Sequence, residues 1–497
     1  MPTTTWPPPY VPPTDPRPQH QTPSTTGPPN PPTDRRTAWA TVGALLVAGV
    51  LVDLAVQSRA SGLAAFGAAA ATALAIAAFG PATTRLSRVV LAAALLPAAF
   101  LPVRASLWLH LPNVIACLGL LAVGAGLARR AGLRRLSFVR LLRNLLLAIA
   151  GVMLAPARLI GLGRALRSTS GPATNRPALW RGLALAALPT IGLALLLASA
   201  DAMFASMFHV TIDPVPLIGH VVVVIVAAIG VLGLIVHAGT GDPADDLGGG
   251  PRLGSTEANV VLAGLASVTA LFALSRVLTA LRGAEHVAEQ TGLSYADYAR
   301  SGFFQLLWAA ALVVLVLLGL RSVTECRSTS ARRTFAALNV VVVALMLVVV
   351  QTAIGRLALY EAAFGSTMLR TYCTVVAWWL GAVFVLIAVA AVAGRAAAWV
   401  PVAVITSALL VVVGLNVVNP ERVVVERNAA HERALDADYV LSLSADSVPA
   451  LVESLPRLDS TERAEVLNRL CATEPAEPAP WNLADRRARQ AIDPACR

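Results

Sequence analysis

Apolar stretches of roughly 20 residues recur along most of the chain, separated by short connections that carry arginine. Nothing else in the sequence limits the fold so tightly. In hydrocarbon every backbone N–H and C=O must be bonded within the protein, so runs of this length are expected to be membrane-crossing helices. Composition agrees, because 56% of the 497 residues are hydrophobic and only 13% are charged. A soluble domain carries roughly 25% charged residues. The expected fold is all-α, a polytopic transmembrane helix bundle of about eleven spans.

Those spans are expected at about 38–57, 61–79, 89–103, 106–128, 180–200, 217–237, 258–281, 294–320, 334–354, 369–393 and 397–418. The third is short and broken by Pro97 and Pro102, which a membrane helix tolerates where neighbours satisfy the freed backbone. Between the fourth and fifth, residues 144–156 are apolar over too short a length to cross. They read as an interfacial or re-entrant helix on the cytoplasmic leaflet, drawn to anionic lipid head groups by the surrounding basic segment 129–181.

All 39 basic residues are arginines, and the formal net charge is +11. A pI near 10.4 suggests nucleic acid at first sight. The arginines sit between the apolar runs, however, which is the signature of membrane insertion, and no nucleic-acid partner is expected. With the N-terminus inside, inward connections hold Arg35, Arg36, Arg85, Arg88, the cluster from Arg129 to Arg181, Arg252, Arg321, Arg327, Arg332, Arg333 and Arg395. Outward connections hold only Arg59, Arg104, Arg282, Arg300, Arg356 and Arg370. That imbalance predicts N-in and C-out, and a multi-pass protein of the cell membrane whose partner is the lipid bilayer.

Three regions follow. Residues 1–36 are a Pro/Thr-rich cytoplasmic tail expected to be disordered, since they cannot bury enough apolar area to fold. Residues 37–418 form the transmembrane domain, including the basic cytoplasmic or interfacial segment 129–179. Residues 419–497 form a small helical extracytoplasmic region, with Asp459 and Glu462 placed to cap a helix before Val466 and Leu470.

Chemistry is expected where ionisable residues stand at membrane depth. One cluster runs from Ser294 through Tyr295, Asp297, Tyr298 and Arg300 into the eighth span. A second holds Arg356, Tyr360, Glu361 and Arg370. With Arg276 of the seventh span, these make a candidate polar cluster on the outward face, in which arginines could grip a phosphate or carboxylate. Ion pairs that lock helices together, such as Asp297 with Arg300, are the competing reading. Asp53 is either a proton-relay carboxylate or an interfacial residue near the end of the first span. No Cys/His cluster has metal-ligand spacing, and no cofactor is expected. Cys471 and Cys496 both lie in the region placed outside the cytoplasm, where disulfides persist, and are expected to pair.

Around Tyr295-Ala296-Asp297-Tyr298-Ala299-Arg300-Ser301-Gly302-Phe303, and at Leu359-Tyr360-Glu361 and Leu369-Arg370, the chain resembles a group of bacterial integral membrane proteins. These are catalogued as a domain of unknown function, the 4153/4173 group. Asn419-Pro420-Glu421, Leu435-Asp436 with Tyr439, Leu443-Ser444-Ala445-Asp446 and Pro449-Ala450-Leu451 look like the same group. The resemblance runs from about residue 180 to the end. It departs at Leu281-Arg282-Gly283-Ala284-Glu285-His286, where that group often carries an aromatic-Gly-Gly stretch. It implies a polytopic membrane protein with no assigned activity. Three roles stay open: a non-catalytic envelope component that senses or scaffolds, a transporter of a small anionic or lipid-linked substrate, and a membrane enzyme acting on a lipid-linked substrate. The last needs a paired acid and base, for which Asp297 and Glu361 are the candidates.

Overall fold

The computed structural model describes residues 35–57, 61–80, 84–127, 143, 145–152, 214–239, 253–282, 303–394, 399–430, 435–472 and 481–496. Outside these lie the N-terminal tail up to residue 34, most of the basic segment 129–181, the expected span 180–200, and Ser294 to Gly302.

The described chain is helical apart from one two-stranded parallel ladder. Five helices form a first group: α1 (Arg35–Gln57), α2 (Ser61–Phe79), α3 (Arg85–Ala93), α4 (Leu95–Ala98) and α5 (Leu107–Gly126). Then come α6 (145–152) and α7 (Pro214–Gly239). Next are α8 (Ser255–Arg282), α9 (Phe303–Val323), α10 (Thr329–Phe364), α11 (Met368–Ala393) and α12 (Val400–Val418). The strands β1 (Leu253–Gly254) and β2 (Thr324–Glu325) tie the start of α8 to the end of α9. Among the described residues nine helices are long and apolar enough to cross a membrane: α1, α2, α5 and α7 to α12.

The expected third span is not one helix. The chain forms α3, the short α4 around Pro97, and a series of turns through Pro102. Proline removes donors and clashes with the preceding turn, so the stretch breaks where the prolines fall. Polar side chains compensate. Thr84 caps α3 by accepting from the Ser87 N–H at 3.1 Å, and donates to the Leu127 carbonyl at 3.0 Å. The Ser87 hydroxyl donates to the Gly124 carbonyl at 2.7 Å. Together they stitch α3 to the end of α5.

The second expected mouth also differs. Arg356 to Phe364 continue α10 without a break, because no glycine or proline interrupts before Gly365, whose φ of 75° ends the helix. At 36 residues α10 measures about 54 Å, well beyond a hydrocarbon core of about 30 Å.

Two apolar cores fill the bundle. One joins α1, α2, α3, α4, α5 and α7, and the other joins α8 to α11. Helix α12 bridges them: Ile405 and Leu409 reach the first core, Val400 and Val404 the second. Close approach depends on glycine at a few crossings. A Cβ on Gly233 of α7 would lie 2.4 Å from the Val152 Cα, so α6 packs with its backbone directly against α7.

One face of the bundle carries the C-terminal region and is called the tail face below. There α13 (Pro420–Ala429), α14 (Ala437–Leu441), α15 (Val448–Ser454) and α16 (Ser460–Ala472) pack around Val425, Val440, Leu451 and Val466, and α17 (Leu483–Ala495) lies against α15. Asp459 caps α16, accepting from the N–H groups of Thr461 and Glu462, each at 2.8 Å. A disulfide joins Cys471 of α16 to Cys496 at the end of α17, with the Cα atoms 5.7 Å apart.

Candidate functional site

The densest buried polar group lies where the tail face meets the turns between α4 and α5. The sequence dictates why they meet there. Helical bonding ends near Pro102: the Arg104 N–H still reaches the Phe100 carbonyl at 2.9 Å, while Ala105 and Ser106 are left with backbone N–H groups that need acceptors. Asp446 supplies them. It accepts from the Ala105 N–H at 2.7 Å and the Ser106 N–H at 3.0 Å, and pairs with the Arg104 guanidinium at 3.0 Å. The Asp446 side chain is 1% exposed. Arg104 also donates to the Asn416 carbonyl at the end of α12. Asn482 and the Leu483 N–H close the far side by donating to the carbonyls of Arg104 and Pro102, at 2.8 and 3.0 Å.

Glu421 sits beside this pair, 2% exposed. One carboxylate oxygen accepts from the Ser106 hydroxyl at 2.5 Å. The other accepts from the Ser444 hydroxyl at 2.6 Å and the Ser444 N–H at 3.0 Å. Burial pushes this carboxyl above the ordinary glutamate range, and nearby Asp446 adds to the rise, while the serine hydrogen bonds oppose it. Asn419 places Glu421. It takes the left-handed conformation, φ 56°, ends α12, caps α13, and donates to the Asp446 carbonyl at 2.8 Å.

One turn deeper, Asn113 of α5 and Asn416 of α12 form a reciprocal amide pair at 3.0 and 2.8 Å, with neither residue exposed. A second contact line secures the connection from α10 to α11. Asn428 bonds both the N–H and the carbonyl of Ser366, at 2.8 and 2.9 Å, and the Tyr439 hydroxyl accepts from the Met368 N–H at 2.7 Å.

Of the residues expected to form an outward polar cluster, Tyr295, Asp297, Tyr298 and Arg300 lie outside the described residues. Arg276 lies on α8, with its side chain outside them as well. The other four lie on the last turns of α10 and the first turn of α11. The Arg370 guanidinium lies 4.2 Å from the centre of the Tyr360 ring and donates to the Phe364 and Gly365 carbonyls. Glu361 faces Arg427 of the tail at 3.8 Å. Arg356 lines an open groove of about 1050 Å³ between α10 and α11, with Gln351, Thr352 and Trp378. Asp53 pairs with His220 across α1 and α7 at 2.7 Å. Among the described residues no group of three or more His, Cys, Asp or Glu side chains could hold a metal ion.

Sequence reading passed over Arg104, Ser106, Asn113 and Asn416. Two signals could have found them: asparagines inside apolar spans, which hydrocarbon penalises, and the acidic Asn-Pro-Glu and Ser-Ala-Asp triplets already noted at 419–421 and 444–446. As it stands, the site can clamp two parts of the chain together.

No curated protein and no solved structure matches the chain. Residues 89–454 match a family described as Domain of unknown function (DUF4153). That stretch begins well before the resemblance expected from about residue 180, and it encloses Arg104, Asn113, Asn416, Glu421 and Asp446. With more than half of its length inside the match, the chain, whose described residues include nine helices long and apolar enough to cross a membrane, belongs to the DUF4153 family.

Proposed function

We propose that the protein is a non-catalytic component of the cell envelope, a scaffold whose tail region is a fixed platform on the outer ends of the membrane helices. The observation that carries this reading is the joint itself. Asp446 and Glu421, the buried carboxylates of the tail face, are bonded by Arg104, Ala105, Ser106 and Ser444 of the same chain. Groups engaged in this way hold surfaces together and are not free to handle substrate. In this reading the N-terminus and Arg35 face the cytoplasm and the tail lies outside, as the arginine distribution favours. The Cys471–Cys496 bridge supports the same placement, because disulfides persist in oxidising compartments.

A transporter working by alternating access would have to part the helix ends at this face. Cross-linking therefore separates the two roles. Ser366→Cys and Asn428→Cys, bridged by a short bifunctional thiol reagent added from outside, would lock the α10–α11 connection to the tail. In a strain lacking the gene, the locked protein is expected to restore the wild-type envelope phenotype as well as either single-cysteine control. Loss of complementation on bridging alone would overturn the scaffold reading.

A further inference from the structure

Beneath α17 the joint leaves a cavity of about 280 Å³. Its walls change character from one side to the other. Arg104, Arg422 and Arg487, with Asp446 and Glu453, contribute charge. Val417 and Val418, the last residues of α12, contribute an apolar flank and are 67% and 59% exposed. Those valines end a membrane-crossing segment, so the cavity opens at the boundary between hydrocarbon and water.

The charges are not equally free. Arg104 is committed to Asp446 and the Asn416 carbonyl. Arg422 uses Nε on Glu426 at 2.6 Å, and its two terminal nitrogens have no hydrogen-bond partner among the described residues. Arg487 has no ion pair among them either. The cavity thus presents guanidinium donors suited to a bidentate oxyanion, an adjacent carboxylate, and an apolar exit toward the bilayer. We propose that it holds the headgroup of a phospholipid of the adjoining leaflet, with the phosphate on Arg422 and Arg487, an amine on Glu453, and the acyl chains descending along Val417 and Val418. The volume favours a headgroup, since sites for whole drug-sized ligands run from roughly 300 to 1,000 Å³. Arg487 belongs to the segment held by the Cys471–Cys496 bridge, so one wall of this site depends on the disulfide.

The test uses the full chain purified in a maltoside detergent, which carries no phosphate. Phosphatidylethanolamine or phosphatidylglycerol is then added, and retained lipid is counted by native mass spectrometry. The wild type is expected to keep phosphatidylethanolamine in preference to phosphatidylglycerol. The double substitution Arg422→Ala, Arg487→Ala is expected to lower retention roughly tenfold, the loss of charge-assisted contacts to one phosphate. Glu453→Gln should narrow the preference between the two lipids. Arg486→Ala, on the same helix but not lining the cavity, should keep lipid as the wild type does. Arg422 and Arg487 are exposed, so folding is not at stake, and an intact disulfide by mass confirms it. Equal retention by the double variant would overturn the proposal. So would a result in which no lipid is retained but inorganic phosphate raises the melting temperature of the wild type and not of the double variant. That outcome would assign the site to a soluble oxyanion.

Discussion

At the scale of single residues, Asp446 and Glu421 meet burial differently. Asp446 is matched by a full charge and two backbone donors, so removing it strands the Arg104 guanidinium away from water. Asp446→Ala is therefore expected to cost about 3–5 kcal/mol, the range for breaking one side of a buried ion pair. Chemical or thermal unfolding in detergent measures it, and a loss under 1 kcal/mol would show that the pair does not hold the joint. Among the described residues Glu421 has no cation at hydrogen-bond distance. Because burial lifts its carboxyl above the unfolded value near 4.5, the folded protein takes up the proton first. Its contribution is fully present below that value and is lost as pH rises through the raised one. The melting temperature should therefore fall as pH rises above that ordinary value, and Glu421→Gln should flatten that slope. Identical slopes for the two proteins would contradict this.

Among the elements, helices were the easiest feature to read, and their junctions the hardest. Nine described helices coincide with apolar runs because hydrocarbon leaves the backbone no other way to bond. The run at 89–103 misled, since composition reports hydrophobicity but not how Pro97 and Pro102 distribute the breaks. The candidate site was half legible. Arg370 and Tyr360 are close in sequence and do meet, whereas the Arg104–Asp446 pair spans 342 positions, which no local pattern records. The Asn113–Asn416 pair is the element-scale contact most open to test. Replacing either asparagine by leucine leaves an unpaired amide in the bundle and should cost about 1–2 kcal/mol. The double replacement should recover most of that, and a double-mutant cycle with no coupling would remove the pair from the account. Gly233 makes a steric counterpart. Gly233→Val must push α6 off α7, because the added atoms would meet Val152 backbone rather than a movable side-chain end. A cost of about 1–3 kcal/mol is expected.

For the whole molecule, the tail has a core of its own, and α17 is an addition fastened to it. The core of Val425, Val440, Leu451 and Val466 contains no residue of α17, which is held by Cys471–Cys496, by the contacts of Asn482 and Leu483, and by packing on α15, with Ala484 and Ala488 buried. The bridge closes a separation of 25 residues, worth about 3 kcal/mol on the chain-entropy view. Reduction is expected to speed tryptic cutting at Arg486 and Arg487 while cleavage at Arg463 stays slow, which limited proteolysis of the purified protein reads directly. Equal acceleration at all three sites would mean that the tail unfolds as one unit. The Arg104–Asp446 pair has a last consequence, in time. A ribosome adding about 5–20 residues per second needs roughly 20–70 s to travel the 342 positions between the two partners. Throughout that interval the turn after Pro102 is already made and waits with its arginine and two N–H groups unanswered. A nascent chain that stalls before residue 446 therefore keeps an open polar turn that the finished protein conceals.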